Sequence, residues 1–138
     1  NSSFSIGLFY SNLSVIPAQN ITVLIDTCFS GKSNDKGSFG LPNSSPIFEL
    51  KDDIPTSYTN LNIMTAGSYK EIASWTKDQK HTLLTKYFLI GSGKIEVYQN
   101  KIKNKFNPEF INFVQLNVKN DAKKIYGRNQ VPQIINRN

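Results

Sequence analysis

At 138 residues the chain has the length of one ordinary domain, and its 38% hydrophobic and 12% aromatic content is enough for a packed core. The net charge of +6 comes from lysines scattered through the C-terminal half. With no recognition motif beside them they read as solvated surface, and a nucleic-acid partner is not expected. No run approaches the ~20 apolar residues of a membrane span, and a single cysteine, Cys28, excludes an internal disulfide framework.

Residues 4–16 carry apolar side chains at Ile6, Leu8, Phe9, Tyr10, Leu13, Val15 and Ile16, which predicts a helix packed over a sheet and stopped by Pro17. Residues 21–25 are Ile, Thr, Val, Leu and Ile, a run without charge that reads as a buried strand ending at Asp26. From Gly31 to Thr59 the sequence is loop-like, rich in Gly, Pro, Ser, Asn and Asp, with a short strand expected at 47–50. Such a long connection inside a compact domain usually signals function or disorder. Leu61 to Thr65 reads as a second core strand, followed by a short helical or irregular piece from Tyr69 to Trp75.

Residues 80–91 place Leu83, Leu84, Tyr87, Phe88 and Ile90 on one face, predicting an amphipathic helix ended by Gly91 and Gly93. A brief edge strand or hairpin is expected around Ile95, Val97 and Tyr98 in the basic stretch 94–105. Asn107 followed by Pro108 is a cap with proline at the first helical position. The helix it opens runs to about Tyr126, buries Phe110, Phe113, Val114, Val118, Ala122 and Ile125, and stops at Gly127. Val131 to Ile135 closes the chain as a strand, and no internal repeat is evident.

The chemistry concentrates at Asp26-Thr-Cys-Phe-Ser-Gly31. Cys28 falls just past the C-terminal end of a predicted strand, where open α/β sheets place their active residues. Gly31 lets the chain turn away and keeps bulk off the thiol. A free cysteine at a strand end is commonly only a small buried hydrophobe, but the aspartate two residues before and the Ser-Gly after favour a nucleophile.

This motif resembles the nucleophile motif of caspase-like cysteine peptidases, in particular the metacaspase and bacterial orthocaspase branch. Leu61–Ser68 is similar to that family's next core strand and its substrate-side exit, His81–Gly91 to the following helix, and Gln130-Val-Pro-Gln133 to a closing Gln-x-Pro tail. The resemblance implies an α/β, caspase/hemoglobinase-like three-layer sandwich, a mostly parallel sheet flanked by helices, with residues 1–138 as its C-terminal portion. It further implies that 31–60 borders the active site, with Lys32 and Lys36 as maturation cut points if the enzyme prefers basic residues.

Residue by residue, the resemblance makes Cys28 the catalytic thiol and its backbone N–H part of the oxyanion hole. It makes Asp26 the acid of the primary specificity pocket, selecting Arg or Lys through charge-assisted hydrogen bonds. Turn capping is the ordinary role of such an aspartate. Ala66, Gly67 and Ser68 would wall the substrate cleft, although Gly67 can equally serve the turn alone. Phe29 stands where the family often has a histidine that is not the catalytic base. That base lies upstream of the cysteine by about fifty residues in caspase-type chains, and the only histidine here, His81, lies downstream. The catalytic histidine is therefore expected in a segment before Asn1, and this part alone is expected to be inactive. A Cys28–His81 dyad is disfavoured, because His81 is expected at a helix start away from the strand ends.

No redox cofactor is implied. Calcium is the one candidate activator, through Asp35, seven residues after Cys28, where calcium-dependent members carry a metal-binding aspartate. One carboxylate does not make a site for an ion that takes six to eight oxygens, so Asp35, like Asp52 and Asp53, reads better as a solvated loop charge. Trp75 is either a groove aromatic or a core anchor. The sequons at Asn1, Asn12, Asn20 and Asn43 arise readily in so Asn- and Ser-rich a chain, with Asn12 expected on a packed helix. They do not establish secretion, and a cytoplasmic location is slightly favoured. The expected activity is cysteine endopeptidase hydrolysis of protein or peptide substrates after Arg or Lys. The alternative is a catalytically inactive caspase-like scaffold or regulatory module.

Overall fold

The computed structural model describes residues 6–27, 58–68, 71–100 and 105–135. These form α1 (Ile6–Ser14), β1 (Ile21–Ile25), β2 (Leu61–Thr65), α2 (Leu83–Ser92), β3 (Tyr98–Asn100), β4 (Lys105–Phe106), α3 (Pro108–Tyr126) and β5 (Gln133–Ile135). The chain is mixed α/β. A three-stranded sheet runs in the order β1-β2-β5, and β3 and β4 make a separate antiparallel pair.

β1 and β2 pair in parallel, Ile21 opposite Leu61 through Ile25 opposite Thr65. β5 returns antiparallel along β2, with Thr65 opposite Gln133. Among the described residues the sheet is thus evenly mixed, where a mostly parallel one was expected. The closing strand begins two residues later than Val131, since Pro132 has no N–H to give a ladder.

Alternation along the strands feeds two cores. Val23, Leu61 and Ile63 face α1 and surround Tyr10, joined by Ile21, Ile25 and Ile135. Met64, with Leu24 and Ile134, points the other way, into Leu83 and Leu84 of α2 and Phe110, Val114, Val118 and Ala122 of α3. β2 is buried at every position because it is the middle strand, with helices over both its faces. Expected core positions Phe113 and Ile125 are only partly buried, at the margin of this second core.

Helix boundaries follow their caps. In α3 the Asn107 side chain accepts from Glu109 N–H at 2.7 Å, Pro108 takes the first turn, and Gly127 ends the helix at φ 66°. α2 starts at Leu83, later than the expected 80, because Thr82 is its cap. Gly91 does not end it. This glycine lies inside α2, where an added Cβ would come within 2.8 Å of the Phe110 ring, so it is a close-approach point between α2 and α3. Gly93 is the true stop. The same two helices are tied by Asp121, whose carboxylate accepts from Tyr87 Oη at 2.6 Å and pairs with Lys86 at 3.3 Å. The Tyr87 bond holds the Asp121 carboxyl below the ordinary value of 3.8.

The basic stretch forms the expected hairpin, with Tyr98 stacked on Phe106 at 6.0 Å. Trp75 is no core anchor, being 52% exposed, while Asn12 lies on a packed helix as expected, on the exposed face of α1. Residues 71–75 form no helix, and Trp75 instead bridges to Thr82. The strand expected at 47–50 lies outside the described residues.

Candidate functional site at the strand ends

Parallel pairing brings the C-terminal ends of β1 and β2 side by side, and the antiparallel β5 brings its N-terminal approach to the same edge. Ala66 N–H donates to Ile25 C=O at 2.9 Å, so the register persists one residue past the strands. Asp26 and Thr27 leave β1 next to Ala66, Gly67 and Ser68 leaving β2. Two of the candidate segments named from sequence therefore meet at one edge.

Asp26 reaches the N-terminus of α2. Its Oδ2 accepts from the Thr85 hydroxyl at 2.6 Å, from the Thr85 backbone N–H at 3.2 Å, and from the Thr82 hydroxyl. Thr82 Oγ1 also accepts from Thr85 N–H at 3.2 Å, so two side chains share this first-turn amide, which has no partner within the helix. A carboxylate there also complements the positive end of the helix dipole. The other oxygen, Oδ1, and Thr27 Oγ1 beside it are buried, and neither has a hydrogen-bond partner among the described residues.

The exit of β2 is braced from below by the segment before β5. Gln130 is fully buried; its Nε2 donates to Ala66 C=O at 3.0 Å and its Oε1 accepts from Ser74 N–H at 2.9 Å. Glu71 Oε2 accepts from Ser68 N–H at 2.9 Å and from Val131 N–H at 3.3 Å. Arg128 donates through Nε and Nη2 to Ser74 Oγ at 3.1 and 3.0 Å. Thr65 Oγ1 donates to Gly67 C=O at 3.1 Å. Gly67 is buried, and a Cβ on it would lie 2.9 Å from Glu71 Oε2, so a larger residue would push the Glu71 side chain from the amides it holds. Ala66 turns its side chain into the core and only Ser68 is half-exposed. The bracing yields a fixed turn whose backbone groups are largely used internally, Ala66 N–H and C=O, Gly67 C=O and Ser68 N–H all having partners.

Trp75, Tyr126 and Arg128 cluster on the surface beside this turn. Tyr126 Oη donates to Trp75 C=O at 2.7 Å, and the Arg128 guanidinium lies 4.8 Å from the Tyr126 ring centre. His81 is exposed just before α2, and its C=O accepts from Thr76 N–H at 2.8 Å. Cys28, its oxyanion N–H, Phe29, Ser30, Gly31, Lys32, Lys36, Asp35, Asp52 and Asp53 lie outside the described residues, as do Asn1 and Asn43. Among the described residues no group of three or more His, Cys, Asp and Glu side chains comes together, and no helix is long and apolar enough to cross a membrane.

Sequence reasoning singled out Asp26 and Ala66–Ser68 but not their partners Glu71, Thr82, Thr85 and Arg128, nor the buried role of Gln130. A Thr immediately ahead of a helical run is a capping signal. Nothing in the sequence paired that cap with an aspartate 56 positions away. Comparison of the chain with protein-family models, curated proteins and solved structures gave no match.

Proposed function

We propose that this chain carries the nucleophile half of a caspase-like cysteine endopeptidase domain that cleaves after Arg or Lys. The observation that carries the reading is the position of Asp26 and Thr27, the first two residues of the 26–31 motif, which leave β1 beside the end of a parallel partner strand. That is the edge at which α/β sheets gather their chemistry. The segments 61–68, 81–91 and 130–133, which resemble that family in sequence, support it by falling on β2, α2 and the approach to β5. The fold proposed for the intact domain is the caspase/hemoglobinase-like sandwich.

In this mechanism a histidine from a segment upstream of this chain takes the proton of the Cys28 thiol. The sulfur attacks the scissile carbonyl carbon, and the oxyanion is held by backbone N–H groups including that of Cys28. Collapse breaks the C–N bond, the histidine gives its proton to the leaving amine, and a thioester remains. Water hydrolyses the thioester and restores the thiol. Asp26 receives the substrate cation, and the braced turn 66–68 walls the cleft.

A second reading has its own observation. Asp26 accepts three hydrogen bonds from α2, as a purely structural cap would, which suits an inactive scaffold or regulatory module. Replacing Cys28 by Ala in the intact protein separates the two. Loss of all cleavage of Arg and Lys peptides supports the peptidase, and an unchanged cellular phenotype supports the scaffold.

A further inference from the structure

β1 and β2 are parallel neighbours, so the chain between them must return from the end of one to the start of the other across a face of the sheet. Both faces already carry helices, α1 on one and α2 with α3 on the other. The hand of the connection decides between them. Ile21 N–H donates to Asn60 C=O at 2.8 Å, and Ile25 C=O accepts from Ala66 N–H at 2.9 Å, so these residues of β1 turn their backbone groups toward β2. Their side chains, with that of Val23 between them, face α1. In an L-residue of a strand running upward, with its side chain toward the viewer, N–H and C=O point to the right. From the α1 side β2 therefore lies to the right of β1. A connection passing on that side is right-handed, the hand of about 98% of such crossovers, and one passing over α2 and α3 is left-handed.

The chain also comes back against α1. Tyr58, where the described residues resume, packs into the Tyr10 core. Asn60 Nδ2 donates to Ser14 C=O at 3.2 Å and to Ala18 C=O at 3.4 Å, which ties the entry of β2 to the end of α1. Between those two carbonyls Val15 and Ile16 are 79% and 45% exposed. Residues 28–57 are far longer than the distance from end to end of a five-residue strand, about 17 Å, requires. They carry Ile47, Phe48, Leu50 and Ile54 shortly before Tyr58. We propose that this segment crosses on the α1 side and docks residues 47–54 on Val15 and Ile16, making the end of α1 an internal interface of the chain. Cys28 need not be catalytic for this to hold.

Cross-linking in the intact protein tests the path. In a Cys28→Ser background, Phe48→Cys is combined with Val15→Cys in one protein and with Leu116→Cys in another, Leu116 being 52% exposed on α3 over the opposite face. A short bismaleimide is expected to join the first pair and not the second. Trypsin gives an independent readout, because it cuts after Lys51 within the docked stretch. Val15→Asp should speed that cut by about tenfold, since losing the apolar contact raises the opened fraction. Leu116→Asp should leave the rate within about twofold of wild type.

Cross-linking to position 116 as readily as to position 15, cross-linking to neither, or a Val15→Asp protein cut no faster than wild type overturns the proposal. Should Val15→Asp not fold, the cysteine pairs decide alone.

Discussion

Replacing Gln130 by Ala removes two hydrogen bonds and leaves both partners stranded. Ala66 C=O and Ser74 N–H sit in residues with 1% and 0% exposure, at 3.0 and 2.9 Å from the amide that satisfies them. Each stranded group costs about 1–3 kcal/mol. Water entering the space recovers part of this, which leaves a net loss of about 3 kcal/mol. Chemical denaturation of the purified protein reads that loss as a lower midpoint at unchanged slope, and hydrogen exchange should show the Ser74 amide losing protection. Gln130→Glu sharpens the test. It keeps the acceptor for Ser74 but sets a carboxylate oxygen against the Ala66 carbonyl, so it should be destabilising at neutral pH. It should recover toward wild type as acid protonates the carboxyl and restores a donor. A loss below about 1 kcal/mol in Gln130→Ala, or a Gln130→Glu deficit that does not change between pH 7 and about 4, would refute the bracing role.

Other outcomes follow from the same structure. Burial pushes the Tyr10 phenol from 10.0 up to about 12, and its hydroxyl has no hydrogen-bond partner among the described residues. The folded state therefore holds this proton longer than the unfolded chain does. Its contribution is intact below pH 10 and is lost as pH rises toward 12. Tyr10→Phe should stabilise the protein at neutral pH by about 1 kcal/mol and flatten the alkaline loss in a pH series of thermal melts. The Asp121 carboxyl is held low chiefly by the Tyr87 hydroxyl, so its contribution is present above pH 3.8 and is lost as pH falls below that value. Asp121→Asn should cost about 1 kcal/mol at pH 7 and much less at pH 3, measured by urea titration at both values. Gly127 sits at φ 66° with open space around it, so Gly127→Ala should cost about 1 kcal/mol by strain alone, and Gly127→Asn less, in the same titration.

Local signals made much of this architecture legible. Asn107-Pro108 and Gly127 bracket α3 because capping chemistry is written in neighbouring residues. Charge-free β-branched runs marked β1 and β2. What escaped depends on partners distant in sequence. Gly91 looked like a helix stop, and its reason for being glycine is the Phe110 ring of another helix. Gln130 looked like part of a tail signature, while its use is to join Ala66 to Ser74, 64 and 56 positions away. The direction of β5 was equally hidden, since an apolar run carries no mark of parallel or antiparallel pairing. At the site, Asp26 could be placed at a strand end, but its hold on α2 could not be read until that helix was placed.

The most direct test of the central claim is covalent labelling of the intact protein with a peptidyl-arginine chloromethyl ketone, read by peptide mass spectrometry. The thiolate of an active nucleophile displaces chloride and forms a thioether, and a basic residue in the reagent carries it into an acidic pocket. The expected result is stoichiometric modification of Cys28, much faster than with the aspartyl analogue and abolished in Asp26→Ala. Modification at the same slow rate by both reagents, as for any exposed thiol, would contradict the peptidase account.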